Sequence, residues 1–405
     1  MTCYFLLPFF DWARWLLPGA AEPGIGFSER TMKPKIRVLH LIDNLDLGGA
    51  QTVLFGCLQN YDHDRFDLTL AALHANRRTV FLSRARKLGV PVLTLSPRRW
   101  FPWYLISLPR LLLKGRFDIV QCHLYASNWL GKPLARLLGV PVVISHDHCY
   151  DAFRFENFLA RSVDRYANLC ADAIFVISDG IKEKLIRKER LSGEKFHLIQ
   201  NGVTTLPSPH RNAGTGKRIG AAGRFVFWKQ FPRFLKVAKH LLEIDSGYRF
   251  ILAGNGPQGE RLQAISRELE IDDHVSWPGA TSSLEPFFTS IDLFILTSDL
   301  EDLPMVLLEA FSFRVPTAVV GRHGERAKLG EVTLSLDPGE TEADWARKIH
   351  DLLSNQAELE RVTSGAAKLV QEQYSAKQQV RKMEQVYEIL LKRKMAKTTT
   401  FTDNV

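Results

Sequence analysis

Cysteine is scarce in this 405-residue chain: there are five, Cys3, Cys57, Cys122, Cys149 and Cys170, with no C-x-x-C pair among them. An odd, scattered set excludes a disulfide scaffold and a cysteine-based zinc module, and it fits a reducing compartment. Long apolar runs are lacking too. Residues 3–18 are the most apolar stretch, but Pro8, Asp11 and Arg14 interrupt it, and it falls short of the roughly 20 residues that span a bilayer. No basic residues precede it, which argues against a secretory signal. Residues 1–32 read either as an interfacial segment with Trp12 and Trp15 at headgroup level or as an upstream artefact, because Met32 directly precedes the first patterned strand. Nucleotide fingerprints are missing as well. There is no G-x-G-x-x-G, no acidic residue closes the second strand, and Gly214-Thr215-Gly216-Lys217-Arg218 lacks both the leading glycine and the hydroxyl of a P-loop. NAD is thereby disfavoured.

What the chain does have is a lopsided charge. Lysine and arginine total 53 against 44 acidic residues, a net +9. Residues 1–207 hold 27 basic and 18 acidic residues, and 208–405 hold 26 of each, so the first half carries the whole excess. An anionic partner is implied there. The cations are dispersed among apolar segments, unlike a nucleic-acid-binding tail. Arg77, Arg78, Arg84, Arg86 and Lys87 form one group. Arg98, Arg99, Arg110, Lys114 and Arg116 form another, interleaved with Trp100, Phe101, Trp103 and Tyr104. The second group reads as a surface for anionic lipid or as a solvated basic face.

From residue 36 short β-branched runs alternate with amphipathic windows. IRVLHLI (36–42), FDLTLAAL (66–73), 90–95, DIVQCHL (118–124), PVVIS (141–145), DAIFVIS (172–178) and KFHLI (195–199) read as strands. A polar stretch rich in glycine and proline (201–216) interrupts the pattern, which resumes with RIGAAG (218–223), YRFILAG (248–254), HVSWPG (274–279), DLFILTS (292–298) and PTAVVG (316–321). Three helical stretches follow. The spacing predicts two doubly wound α/β domains with parallel sheets, and a ligand between them at the carboxyl ends of the strands.

Three segments have chemistry to offer. Gly48 and Gly49, between the first strand and its helix, let backbone approach a ligand at a helix amino terminus, or simply make a tight turn. Arg224 and Lys229 place two cations in one strand-to-helix loop, suited to a diphosphate; the neighbouring Phe227 and Trp228 are expected to pack. Glu301 precedes Pro304, which suits a first helical turn, so Glu301 falls in a loop and Glu309 in the helix. Carboxylates at such positions can each accept two hydroxyl hydrogen bonds, as a ribose or sugar would give.

In order along residues 35–393, the GGAQ loop, Asn201-Gly202-Val203, GRFVFWK, Gly254-Asn255-Gly256-Pro257 and Glu301-x7-Glu309 resemble the retaining glycosyltransferases of the GT-B fold, family 4 (group 1). The resemblance implies an acceptor domain at 33–205, a linker at 206–216, a nucleotide-sugar domain at 217–374, a helix at 375–396 crossing back to the first domain, and a disordered tail at 397–405. It implies that Arg224 and Lys229 hold the donor diphosphate, Glu309 the ribose and Glu301 the donor sugar. Gly48, Gly49, Gly256, Leu303 and Pro304 would complete the donor site. His123 would stand near the reaction centre, with His148, Arg98 and Arg99 on the acceptor side, although either histidine also reads as a satisfied strand-end residue. No cofactor and no metal are implied; Asp62-His63-Asp64 has D-x-D spacing but sits in a polar turn. The expected activity is transfer of a sugar from a nucleoside-diphosphate sugar, UDP-sugar first, to a glycan or lipid-linked acceptor in cell-surface polysaccharide or glycolipid synthesis. The expected place is the cytoplasm, peripheral on the inner membrane face, with no nucleic-acid partner. The alternatives are a sugar-nucleotide 2-epimerase or a nucleotide-sugar-binding protein without turnover. Asp302 and Arg314 stand where the family usually has glycine, and a non-glycine left-handed cap at Arg314 is unfavourable.

Overall fold

A computed structural model describes residues 34–46, 48–74, 80–96, 102–148, 157–205, 217–281, 283–298, 301, 304–321 and 329–402. From Lys35 onward the described residues form one compact unit. Two parallel sheets carry the chain. The first has seven strands: β1 (Ile36–Asn44), β2 (Phe66–His74), β3 (Val92–Ser96), β4 (Ile119–His123), β5 (Val142–Asp147), β6 (Ala173–Val176) and β7 (Phe196–Leu198), ordered β3-β2-β1-β4-β5-β6-β7. The second has six: β8 (Arg218–Ala222), β9 (Arg249–Ala253), β10 (Val275–Gly279), β11 (Leu293–Leu296), β12 (Thr317–Val320) and β13 (Leu334–Leu336), ordered β10-β9-β8-β11-β12-β13. Strand order reverses between β1 and β4 and between β8 and β11, and crevices open at such switch points.

A strand covered by helices on both faces has no wet side, so it needs apolar residues at odd and even positions alike. Val38 and Ile42 of β1 share one core layer with Leu68, Ile119 and Ile144. Leu39 and Leu41 share the other with Leu73, Val120 and Val143. Helices α1 (Gly49–Leu58) and α2 (Val80–Lys87) cover the first layer, through Val53, Leu54, Phe81 and Ala85. The opposite layer is covered by α3 (Tyr104–Gly115), through Leu108 and Leu112, and α4 (Tyr125–Leu137), through Ala135. Beside α4 lies α5 (Phe158–Leu169), joined to it where Trp129 Nε1 donates to Asp164 Oδ1 at 3.1 Å. Helix α6 (Asp179–Glu189) packs Ile181 and Leu185 on β6 and β7.

Around the second sheet run α7 (Phe231–Ile244), α8 (Gly259–Glu268), α9 (Glu285–Ser290), α10 (Met305–Ser312), α11 (Glu342–Ser354) and α12 (Gln356–Gln373). The last helix, α13 (Ala376–Thr402), crosses back and seals the first sheet with Val380, Met383, Tyr387 and Leu390. The two chain crossings are tied side by side: Val203 N donates to Tyr374 O at 2.8 Å and Ala376 N to Val203 O at 2.9 Å. A Cβ on Gly202 would fall 2.5 Å from Ser375 O, so only glycine permits that approach.

Several strand ends shift by a residue or two, and three elements depart more plainly from the sequence reading. The third strand is Val92–Ser96, not 90–95. Helix α13 runs on to Thr402, because neither glycine nor proline follows Lys394 to stop it. Strand β13 was too short to show a period. The linker at 206–216 and the extension at 1–32 lie outside the described residues. Among the described residues no helix is long and apolar enough to cross a membrane.

Candidate active site

The two sheets present helix amino termini to each other. Gly48 is the N-cap of α1, and neither α1 nor α10 has a side-chain cap or an acidic residue in its first turn. A Cβ on Gly49 would lie 3.6 Å from Met305 Cγ, the first residue of α10, so the amino ends of these helices meet. Uncapped first-turn N–H groups and the positive dipole ends of both helices therefore converge on one place, which suits an anion.

On the second-sheet side the loops after β8, β9 and β11 close around that place. Gly223, Gly254 and Gly256 have φ of 151°, 147° and 159°, where side chains are strained. A Cβ on Gly254 would stand 1.9 Å from Gly223 O, and one on Gly256 2.6 Å from Phe225 O. Glycine thus lets two loops press together as a floor of backbone. Over it Lys229 Nζ reaches Glu301 at 2.7 Å, with both side chains mostly buried. Thr297 Oγ1 donates to Lys229 O at 2.7 Å and fixes the lysine's backbone. Arg224 stays exposed on the same loop.

Pro304 is the N-cap of α10 with φ −71° and ψ 139°, one position before the first turn. Glu309 sits in the second turn, as the sequence reading places it. Among the described residues its carboxylate has no hydrogen-bond or ion-pair partner, and burial pushes its pKa up to about 7 although part of the side chain remains open. Such a carboxylate is poised to accept two hydroxyls. Phe227 and Trp228 do not pack as expected: they are 69% and 45% exposed, because the short 3₁₀ turn at Phe227–Lys229 turns their rings outward, while Phe225 fills the core instead.

His123 ends β4 at the switch point of the first sheet. It belongs to a polar stripe. Positions 40, 121, 123, 146 and 148 share strand parity with Val38, Ile119 and Ile144, so all point toward α13. His148 Nδ1 donates to Asn201 Oδ1 at 3.3 Å, leaving its Nε2 to accept from His123 Nδ1 at 2.9 Å. His123 Nε2 then accepts from His40 Nδ1 at 3.0 Å. One amide at the domain crossing thereby fixes the tautomer of three imidazoles, ending in a bare lone pair on His40 Nε2. On the other branch Tyr61 and Tyr387 hydroxyls bond at 2.9 Å, Tyr387 donates to Gln121 Oε1, and Gln121 Nε2 donates to His146 Nδ1 at 3.0 Å. Burial holds all four histidines neutral: His40 is pushed down to about 3 and His148 to about 4, and His123 and His146 fall well below the usual value. His123, His146 and His148 each bring a ring nitrogen within 4.8 Å of the others, yet those of His123 and His148 are already spent on each other, on His40 and on Asn201. As folded, His123 has both ring nitrogens engaged and is 1% exposed.

Of the sequence-derived site, then, Gly48, Gly49, Gly256, Lys229, Glu301, Pro304 and Glu309 lie on loops that meet or on helix ends beside them. Leu303, Arg98 and Arg99 lie outside the described residues. Sequence reasoning missed His40, Gln121, His146, Tyr61 and Tyr387. The alternation in Ser145-His146-Asp147-His148 was the one available sign that two of the histidines share a face.

Two family models tile the chain: Glycosyltransferase Family 4 over residues 47–205 and Glycosyl transferases group 1 over 203–370. Their junction falls at the tied crossing. A Bacillus subtilis protein named as a glycosyltransferase, EpsF, is 26% identical over 338 residues, covering 77% of this chain and 86% of its own length. The Escherichia coli UDP-Gal:alpha-D-GlcNAc-diphosphoundecaprenol alpha-1,3-galactosyltransferase is 26% identical over 314 residues, 72% of this chain and 80% of its own. In fold, the chain is similar to Anabaena HepE solved with UDP and glucose, with a TM-score of 0.72 at 17% identity, covering 87% of this chain and 99% of that one. The sheet order, the junction of the two models and the glycine-floored loops agree on one assignment: this chain is a GT-B glycosyltransferase and belongs to the group 1, family 4 glycosyltransferases.

Proposed function

We propose that the protein moves a sugar, with retention of anomeric configuration, from a nucleoside-diphosphate sugar to a glycan or lipid-linked acceptor at the cytoplasmic membrane face. The carrying observation is the Lys229–Glu301 pair above the floor of Gly223, Gly254 and Gly256, opposite two uncapped helix ends. A diphosphate would draw Lys229 away from Glu301, meet Arg224 from solvent and take the helix dipoles end-on. Glu301, freed, would turn to the sugar hydroxyls beside Pro304, and Glu309 would take the ribose diol. UDP is the preferred nucleotide, because HepE was solved with UDP and the galactosyltransferase relative is named for a UDP donor.

As the bond from the anomeric carbon to the phosphate oxygen breaks, its electron pair stays on the phosphate and positive charge develops on the ring. Fixed cations and helix ends meet the developing negative charge without reorganising. The acceptor oxygen forms the new bond on the same face and passes its proton to the departing phosphate. These cations supply the charge a metal would otherwise bring, so neither metal nor cofactor is invoked. His123, held neutral, and His148 border the acceptor side; His123 reaches a substrate only by giving up a bond to His40 or His148.

The test is donor turnover without acceptor. Slow release of UDP from UDP-sugars, lost in Arg224→Ala and in Glu309→Ala and indifferent to chelator, is the expected result. Unchanged release in both variants refutes the site, and donor binding with no release under any acceptor refutes the activity.

A further inference from the structure

Nine of the fourteen large apolar side chains exposed among the described residues lie on one layer, α3–α4–α5 and the N-cap of α3. On α3, Leu105, Ile106 and Leu113 are 52%, 38% and 61% exposed; on α5, Phe158, Leu159 and Leu169 are 73%, 71% and 55% exposed. Arg110, Lys114, Arg116 and Arg165 are exposed among them, and Trp103 and Tyr166 add rings that favour an apolar–water boundary. Residues 102–116, 125–137 and 157–169 contain a single carboxylate, Asp164, and it is buried against Trp129. The layer therefore shows apolar groups and positive charge with no exposed acid.

We infer that this three-helix layer docks the enzyme flat on an anionic lipid surface. A helix face lying in the headgroup region buries its apolar residues while its cations meet lipid phosphates. A nucleic acid would satisfy the cations but leave Phe158 and Leu159 in water. The layer also redraws the surface read from sequence. Helix α2, with Arg84, Arg86 and Lys87, packs on the opposite side of the sheet through Phe81 and Ala85 and takes no part, whereas α5 joins it.

The full chain is centrifuged with vesicles of phosphatidylcholine alone and of phosphatidylcholine with phosphatidylglycerol. It should partition onto the anionic vesicles and scarcely onto the neutral ones. Leu105→Glu with Phe158→Glu should abolish partition, and Lys114→Glu with Arg165→Glu should lower it about tenfold or more, while melting temperature and acceptor-free UDP release stay as in the parent. Release measured without vesicles reads the donor site alone, so the two ideas fail separately. No anionic partition, equal partition of the Leu105/Phe158 variant (as when residues 1–31 do the docking), or concentration-dependent self-association erased by that variant would each overturn the proposal.

Discussion

Lowering the pH from 7 to 5 should cost this protein much of its stability, because four neutral imidazoles are locked in its first sheet. Unfolded, each binds a proton with a pKa near 6.5; folded, His40 holds out to about 3 and His148 to about 4, and His123 and His146 lie well below the usual value. The folded values are depressed, so this stability is present above 6.5 and is lost as pH falls. Over two units His40 and His148 each remove about 2 kcal/mol by proton linkage, and His123 and His146 act in the same direction. Glu309 acts in the opposite sense, since its raised folded value near 7 makes the native state gain about 2 kcal/mol over the same interval. His40 and His148 alone outweigh it by about 2 kcal/mol, and His123 and His146 add to a loss that is already a large part of a domain's stability. Urea unfolding followed by tryptophan fluorescence at pH 7, 6 and 5 measures it. His40→Phe keeps a ring of similar size and leaves only the His123 Nε2 lone pair unfilled, so its loss should be smaller by about 2 kcal/mol. A parent losing less than about 1 kcal/mol, or a variant with the parent's slope, would refute the reasoning.

Two other outcomes follow from the geometry. Accepting two ribose hydroxyls favours the charged form of Glu309, so UDP binding near pH 7 should release a proton; calorimetry in buffers of different ionisation enthalpy reads it, and Glu309→Gln should erase it. Arg314 sits at φ 53° after α10, as its place in the sequence suggested, so Arg314→Gly should raise stability by about 0.5–1 kcal/mol in thermal melts, and a lower melting temperature would count against the cap.

The sheets were legible because each buried strand is a short apolar run whose partners lie one crossover away. The glycine-floored loops of the second sheet were legible because glycine marks tight backbone approach, and Glu301 and Glu309 straddle a proline that starts a helix. The histidine stripe was not, since its partners sit far along the chain: His148 meets Asn201 across 53 residues, and Tyr61 meets Tyr387 only once α13 has crossed back. Phe227 and Trp228 misled for a related reason. Aromatic residues ordinarily pack, and only the tight turn ahead of α7 shows that Phe225, not they, fills the core.

The tied crossing at Val203 and Ser375 has a consequence for how the chain is organised. The lobe that begins at Lys35 is finished only by α13, so the second lobe is an insertion within it, entering and leaving through one doorway. Ending the chain before Ala376 would leave the second lobe whole and strip the first lobe of the lid over its histidines. Excising the insertion and closing the short gap between Val203 and Ala376 would instead leave the first lobe with all of its own core.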